Sequence, residues 1–198
     1  MITIISGFGR CGSSLLMQML NAGGMTCLGS FPAFEDKRVD RNGDLDFLRD
    51  HDGCAVKVLD PHRYRFPEGV LFGAIWLDRD LKEQAKSTIK FQKRVLGMPG
   101  VGRADVSGCK RLLREERPFA IAALHKLTGK QILFLRFESI LTAPRDVAKI
   151  LSSFCGGLDV DAMTRVVVPR KPQCLRDFLE TELILKGMDD ADQLKAHR

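Results

Sequence analysis

The sequence predicts an α/β fold in three layers, a central mostly parallel sheet flanked by helices, of the P-loop type. Three observations predict it. Four short apolar runs punctuate the chain, at residues 2–5, 55–59, 70–77 and 132–137, and they are near-continuous rather than alternating. That is the pattern of parallel strands buried on both faces. Helical periodicity fills the intervals between them. Finally, the first run breaks at once into a glycine-rich turn that opens an apolar helix, which aims backbone N–H groups and the positive end of a helix dipole at one anion.

The first element, Ile2-Thr3-Ile4-Ile5, reads as a buried strand, and the turn is Ser6-Gly7-Phe8-Gly9-Arg10-Cys11-Gly12-Ser13-Ser14. Gly7 and Gly12 have the spacing of a Walker phosphate loop, but Ser13 stands where that loop carries its lysine, and the cation within the turn is Arg10. Gly9, Arg10, Cys11, Gly12, Ser13 and Ser14 are therefore candidate phosphate-binding residues of an unusual loop. The segment from Gly23 to Asp52 has no strong period and several glycines, and reads as loop-rich. Ala55 to Leu59 reads as the second strand, carrying Lys57 and closed by Asp60-Pro61. The third strand, Val70 to Leu77, delivers Asp78-Arg79-Asp80 at its end.

A helix follows, with Leu81, Ala85 and Ile89 on one stripe and Lys82, Lys86, Lys90 and Lys93 opposite. Asp80 and Glu83 have the spacing of a capping box. Residues 109–127 also read as helical, with a kink or break expected at Pro118. After a fourth strand through Phe137, a helix from Pro144 is expected to bury Val147, Ile150, Leu151 and Phe154 and to stop at Gly156-Gly157. The chain reads as a single domain, with 23–52 and 97–128 covering a ligand site and 158–198 forming a C-terminal helical segment.

Composition narrows the function. The 198 residues carry a formal charge of +6. Between Arg79 and Arg117 there are eleven Lys or Arg against five Asp or Glu, an excess equal to the whole net charge. Such a basic face serves nucleic acid, an acidic membrane or a small polyanion. Aromatics for base stacking are sparse there, which disfavours nucleic acid. No window approaches the ~20 apolar residues of a membrane span. The N-terminus lacks the pattern of a secretory signal, and the six cysteines are scattered without a C-x-x-C pair, so a cytoplasmic protein with neither disulfides nor zinc is expected.

Together these motifs resemble the sulfotransferase family, across most of residues 2–157. Gly7-Phe8-Gly9-Arg10-Cys11-Gly12-Ser13-Ser14 is similar to the family's 5′-phosphosulfate loop, usually P-R-S-G-T-S or P-K-S-G-T-T. Residues 76–87, W-L-D-R-D-L-K-E-Q-A-K-S, resemble the 3′-phosphate motif, in which an arginine precedes a serine by eight positions, as Arg79 precedes Ser87. Residues 134–144 resemble the V-R-Y-E-D-L-L…P segment, and Ala55-Val56-Lys57-Val58 resembles the lysine-bearing strand of bacterial members. The departures are Gly9 for proline, Cys11 for serine, Phe137 for tyrosine and Ser139 for aspartate. Arg170-Lys171 is faintly similar to the R-K-G segment of the vertebrate cytosolic branch, with Pro172 in place of the glycine.

The resemblance implies a sulfuryl donor, 3′-phosphoadenosine 5′-phosphosulfate, held by the loop and by Arg79 and Ser87. It implies transfer to a hydroxyl or amine of a small-molecule, carbohydrate or peptide acceptor. Arg10, Ser13 and Lys57 would meet charge on the bridging oxygen, and no metal is needed. The proton acceptor would be a histidine or a glutamate. Glu35 is the first candidate and His62 the alternative, with Asp36 and Asp60 next. Two other readings stay open: a P-loop small-molecule kinase, and a nucleotide-binding module without catalysis.

Overall fold

A computed structural model describes residues 1–39, 43–94, 103–129 and 131–174 of the chain. Its centre is a four-stranded sheet in which every pairing is parallel: β1 (Ile2–Gly7), β2 (Ala55–Lys57), β3 (Phe72–Asp78) and β4 (Ile132–Arg136), in the order β2-β1-β3-β4. The apolar runs are continuous because each strand feeds two cores. Ile5, Ala55, Ile75 and Leu77 pack on one face, against α1 (Ser13–Ala22), α4 (Phe137–Thr142), α5 (Pro144–Cys155) and α6 (Val160–Val166). Ile2, Ile4, Val56, Phe72, Ala74 and Trp76 pack on the other, against Leu113, Ala120 and Leu124 of α3 (Arg103–Thr128) and the turn around Leu48. The expected three layers are present. Among the described residues, no helix is long and apolar enough to cross a membrane.

Helix α2 (Leu81–Arg94) runs from the end of β3 with Ala85 buried and Lys82, Lys86 and Lys93 exposed. Only half of the expected capping box forms. The Asp80 carboxylate accepts from the N–H groups of Lys82 and Glu83, both at 3.0 Å, but the Asp80 N–H donates to Glu138 at 2.8 Å rather than to Glu83. Glu83 instead accepts from the Cys174 N–H at 2.7 Å and from Lys86, tying the chain beyond α6 to α2.

Three other expectations are corrected. Helix α3 begins at Arg103 and runs unbroken through Pro118. The proline and Arg114, whose carbonyl loses its helical donor there, are both exposed, so water can take the freed acceptor. Ile150 is 46% exposed, because the buried stripe of α5 runs through Val147, Ala148 and Leu151. β4 ends at Arg136, and Phe137 opens a helix instead of closing the strand. His62 sits in a short 3-10 turn, Pro61–Arg63. Of the segments expected to cover the ligand, 23–39 and 43–52 are irregular apart from the turn Asp46–Asp50, and 97–102 lie outside the described residues, as do 175–198 of the C-terminal segment.

Candidate active site

The loop between β1 and α1 is shaped by glycine at two points. A Cβ on Gly12, whose φ is +105°, would lie 2.3 Å from a ring carbon of Phe137. One on Gly7 would lie 2.8 Å from both the Cys11 Sγ and the Leu77 carbonyl oxygen. Arg10 holds a left-handed backbone, φ 68°. The loop's carbonyls are taken up from the α2 side. Buried Gln84 donates to the carbonyls of Phe8 and Gly9, at 3.2 and 3.0 Å, and Arg79 donates to that of Arg10 at 2.9 Å. A trans peptide sets its C=O and N–H on opposite sides. Holding these carbonyls toward α2 therefore turns the amides of Gly9 and Arg10 away from it. Beyond them the first turn of α1, at Ser13 and Ser14, presents N–H groups with no helical acceptor.

Side chains from four other elements gather beside the loop. Lys57 ends β2, which pairs in register with β1 so that Lys57 lies opposite Ile5. It is 6% exposed, and its ammonium donates to the Ser14 hydroxyl at 3.2 Å, the Ala33 carbonyl at 2.6 Å and the Glu35 carboxylate at 3.1 Å. Burial holds this ammonium below the usual lysine range, against the opposing pull of Glu35. Arg10 Nε donates to the Ser87 hydroxyl at 3.2 Å, and its guanidinium lies 5.2 Å from the Phe91 ring centroid. Arg79 is 6% exposed, 4.5 Å from the Phe137 ring centroid, and Arg170 lies 5.5 Å from the same centroid. One aromatic ring thus gathers two guanidiniums beside the loop.

No protein-family profile matches the chain, and no curated protein matches it in sequence. Among solved structures it is similar to a mouse sulfotransferase complexed with PAP, at 13% identity and a TM-score of 0.58, over 90% of this chain and 73% of that one. It is similar to retinol dehydratase in complex with androsterone and inactive cofactor PAP, at 16% identity and a TM-score of 0.55, over 83% of this chain. It is also similar to the sulfotransferase domain of a Synechococcus olefin synthase, at 15% identity and a TM-score of 0.52, over 85% of this chain and 78% of that domain. The fold is that of the sulfotransferases. The chain spans 62% of retinol dehydratase, less than two thirds of its length.

Within this sulfotransferase fold the residues singled out from sequence divide into groups. Gly9, Arg10, Gly12, Ser13, Ser14, Lys57, Arg79 and Ser87 surround the loop. Cys11 belongs to the loop but turns inward: its thiol is fully buried and pushed up by that burial, and its N–H donates to the Phe8 carbonyl at 3.1 Å. Arg79 itself is buried. Asp78 is held instead by both nitrogens of an Arg117 fork, at 3.1 and 2.7 Å, and by the Trp76 indole N–H at 2.8 Å.

The candidate bases are scattered. Glu35 reaches the site as the exposed partner of Lys57, its side chain 72% exposed. Asp36 is gripped by Arg38, which holds its carboxyl below the usual range. His62 pairs with Glu116 at 2.8 Å, on the α3 side of the sheet. Asp60 lies closer to the loop, its N–H donating to the Gly7 carbonyl at 3.1 Å.

Gln84, Glu138 and Arg117 are structural supports of the site that the sequence reading missed. A glutamine three residues after Leu81, on the apolar side of α2, is a local signal that would have revealed the first of them. Glu138 and Arg117 act across long separations in the chain and leave no local sign.

Proposed function

We propose that the chain is a sulfotransferase that uses 3′-phosphoadenosine 5′-phosphosulfate and acts on a hydroxyl or amine of a small-molecule acceptor. The observation that carries the proposal is the pair of cationic grips on one loop: Lys57 with Ser14 at the start of α1, and Arg79, just before α2, with Arg10 and with Ser87 two turns into α2. They suit a ligand with two separated phosphates. The residues fit such a donor, because Lys57, Arg10, Arg79 and Arg170 converge on the loop from four parts of the chain. The donor supplies the sulfuryl group and, as leaving group, a phosphate oxygen.

The chain's own residues would do the rest. Amides of the loop and of the first turn of α1 bind the 5′-phosphate and hold it in line with the acceptor. Lys57 and Arg10 stabilise negative charge on the oxygen between phosphorus and sulfur as it develops. Arg79 and Ser87 fix the 3′-phosphate, and Arg170, beside Arg79 on Phe137, extends that grip. Charge on the departing oxygen is met by side chains, so Mg²⁺ has no task here.

Calorimetry tests the donor. Adenosine 3′,5′-bisphosphate should bind tighter than AMP by roughly tenfold or more, the worth of one charge-assisted contact. Equal affinities would refute the two-grip reading. Transfer from a radiolabelled donor should persist in EDTA, and its loss there would mark a metal-dependent phosphoryl-transfer enzyme instead.

A further inference from the structure

A cleft of about 580 Å³ opens beside the loop on the α3 side, with Phe8 and Gly9 forming one end of its wall. Ile89 of α2 and Leu112 and Leu113 of α3 make it largely apolar. Its size suits a small organic ligand. Among the described residues its lining carries the carboxylates of Asp60, Asp105 and Glu116 and the guanidinium of Arg63.

Asp60 is the cleft carboxylate whose own backbone is bonded to the loop. It follows β2 in a left-handed backbone, φ 52° and ψ 55°, fastened through its N–H to the Gly7 carbonyl. Non-glycine residues are rarely held this way, and such positions cluster at functional sites. Among the described residues nothing donates a hydrogen bond to its side chain. The groups that face it are Arg63 and His62 of its own turn and Glu116 of α3. Arg63 and His62 are themselves directed to Glu116, at 3.9 and 2.8 Å.

We propose that this cleft holds the acceptor, that the acceptor is an uncharged or cationic alcohol or phenol with an apolar body, and that Asp60 receives its proton. The assignment rests on the sulfotransferase reading. The acceptor oxygen forms its bond to sulfur while its proton passes to the Asp60 carboxylate. The bond from sulfur to the phosphate oxygen breaks, and its electron pair stays on the 5′-phosphate. The products are a sulfate ester and adenosine 3′,5′-bisphosphate. Burial pushes the Asp60 carboxyl up, with Glu116 adding to the rise and Arg63 and His62 opposing it, which makes it a better base than an exposed carboxylate. Glu35, paired to Lys57, is by contrast a positioning residue for that ammonium. The acidic lining repels an acceptor that carries a carboxylate or phosphate.

The test uses the full chain, the sulfuryl donor and three phenols of matched shape: 4-ethylphenol, tyramine and 4-hydroxyphenylacetate. The first two should be sulfated, the third with kcat/KM lower by roughly tenfold or more. Asp60→Asn should lower kcat by roughly 10²–10⁴-fold with adenosine 3′,5′-bisphosphate affinity unchanged, and the acidic limb of the pH–rate profile should disappear. Glu35→Gln should keep that limb. Gly108→Leu, on α3 where an added Cβ meets no atom within 4 Å, places a side chain in the cleft at no cost to helix propensity. It should raise the acceptor KM and leave bisphosphate binding alone.

The proposal is overturned by an Asp60→Asn enzyme within threefold of wild type, by an unchanged KM in Gly108→Leu, or by preference for the anionic phenol. If the wild type binds the bisphosphate but sulfates none of the three, saturation-transfer NMR on that complex reads the same order of preference. Absent or anion-preferring binding then overturns the assignment. A wild type that fails to bind the bisphosphate refutes the underlying sulfotransferase reading instead.

Discussion

Replacing Arg79 by alanine separates donor recognition from folding, and its size can be worked out. Arg79 is 6% exposed, donates to the Arg10 carbonyl at 2.9 Å and stacks on Phe137 at 4.5 Å. If it also grips the 3′-phosphate, the alanine variant loses a charge-assisted hydrogen bond, about 1.5–3 kcal/mol, or roughly a 12- to 160-fold weaker Kd. At a bisphosphate concentration 100 times the wild-type Kd, ligand binding stabilises the wild type by about 2.7 kcal/mol. For a chain of this length that is an upward shift in Tm of roughly 5–11 °C. In Arg79→Ala the same concentration contributes only about 0.3–1.3 kcal/mol, an upward shift of roughly 1–5 °C. Differential scanning fluorimetry with and without ligand, paired with calorimetry, reads both quantities. Arg79→Lys should recover only part of the shift, because an ammonium cannot reproduce the guanidinium fork. A folded Arg79→Ala protein with the full wild-type shift would refute the 3′-phosphate assignment.

Two further substitutions test the site from other sides. Lys57→Met should abolish transfer while leaving Tm at neutral pH unchanged or higher, since a buried charge gives way to an apolar chain and the partner it leaves, Glu35, is solvated. Because the folded-state pKa of Lys57 is depressed, the unfolded chain binds more protons between that value and the usual lysine range. Wild-type stability should therefore rise with pH across that window, and Lys57→Met should flatten the rise; a variant with a clearly lower Tm would show that Lys57 is a net stabiliser. Gly12→Ala meets Phe137 at 2.3 Å and a φ of +105°, so Tm should fall by several degrees and recover in part when Phe137→Leu is added. A single variant with unchanged Tm would mean that the loop can yield at that point.

The fold and the loop were legible because their signals are local. Four apolar runs, a glycine spacing and a helix stripe each fall within a short window, and each formed the kind of element expected, though β2 and β4 end before their runs do. The misreadings have physical causes. Ile150 matched the period of α5 but lies just past the edge of an apolar stripe that Ala148 occupies. Pro118 does not break α3, since it and Arg114, whose carbonyl it leaves without a helical donor, are both exposed to water. Glu83 had the spacing to cap α2, but the cap was completed by Glu138 of α4, which the sheet brings to the same helix end.

The site itself was legible only in part, because its charge is distributed. A Walker loop concentrates its cation within the turn, so a short motif reveals it. Here the turn supplies Arg10, β2 supplies Lys57, the end of β3 supplies Arg79 and the chain beyond α6 supplies Arg170. They converge because β1 lies between β2 and β3, which sets Lys57 on one side of the loop and Arg79 on the other. Phe137 then places Arg170 beside Arg79. Each of these cations has an ordinary local context, and only the parallel strand order gives them a common target. The same strand order accounts for Asp60. Lys57 and Asp60 are three residues apart, but the chain leaves the strand between them. Lys57 then faces the start of α1, and Asp60 turns over Gly7 toward the α3 side. A strand end that divides a cation from a carboxylate across one loop can place charge stabilisation on the donor side and proton acceptance on the acceptor side.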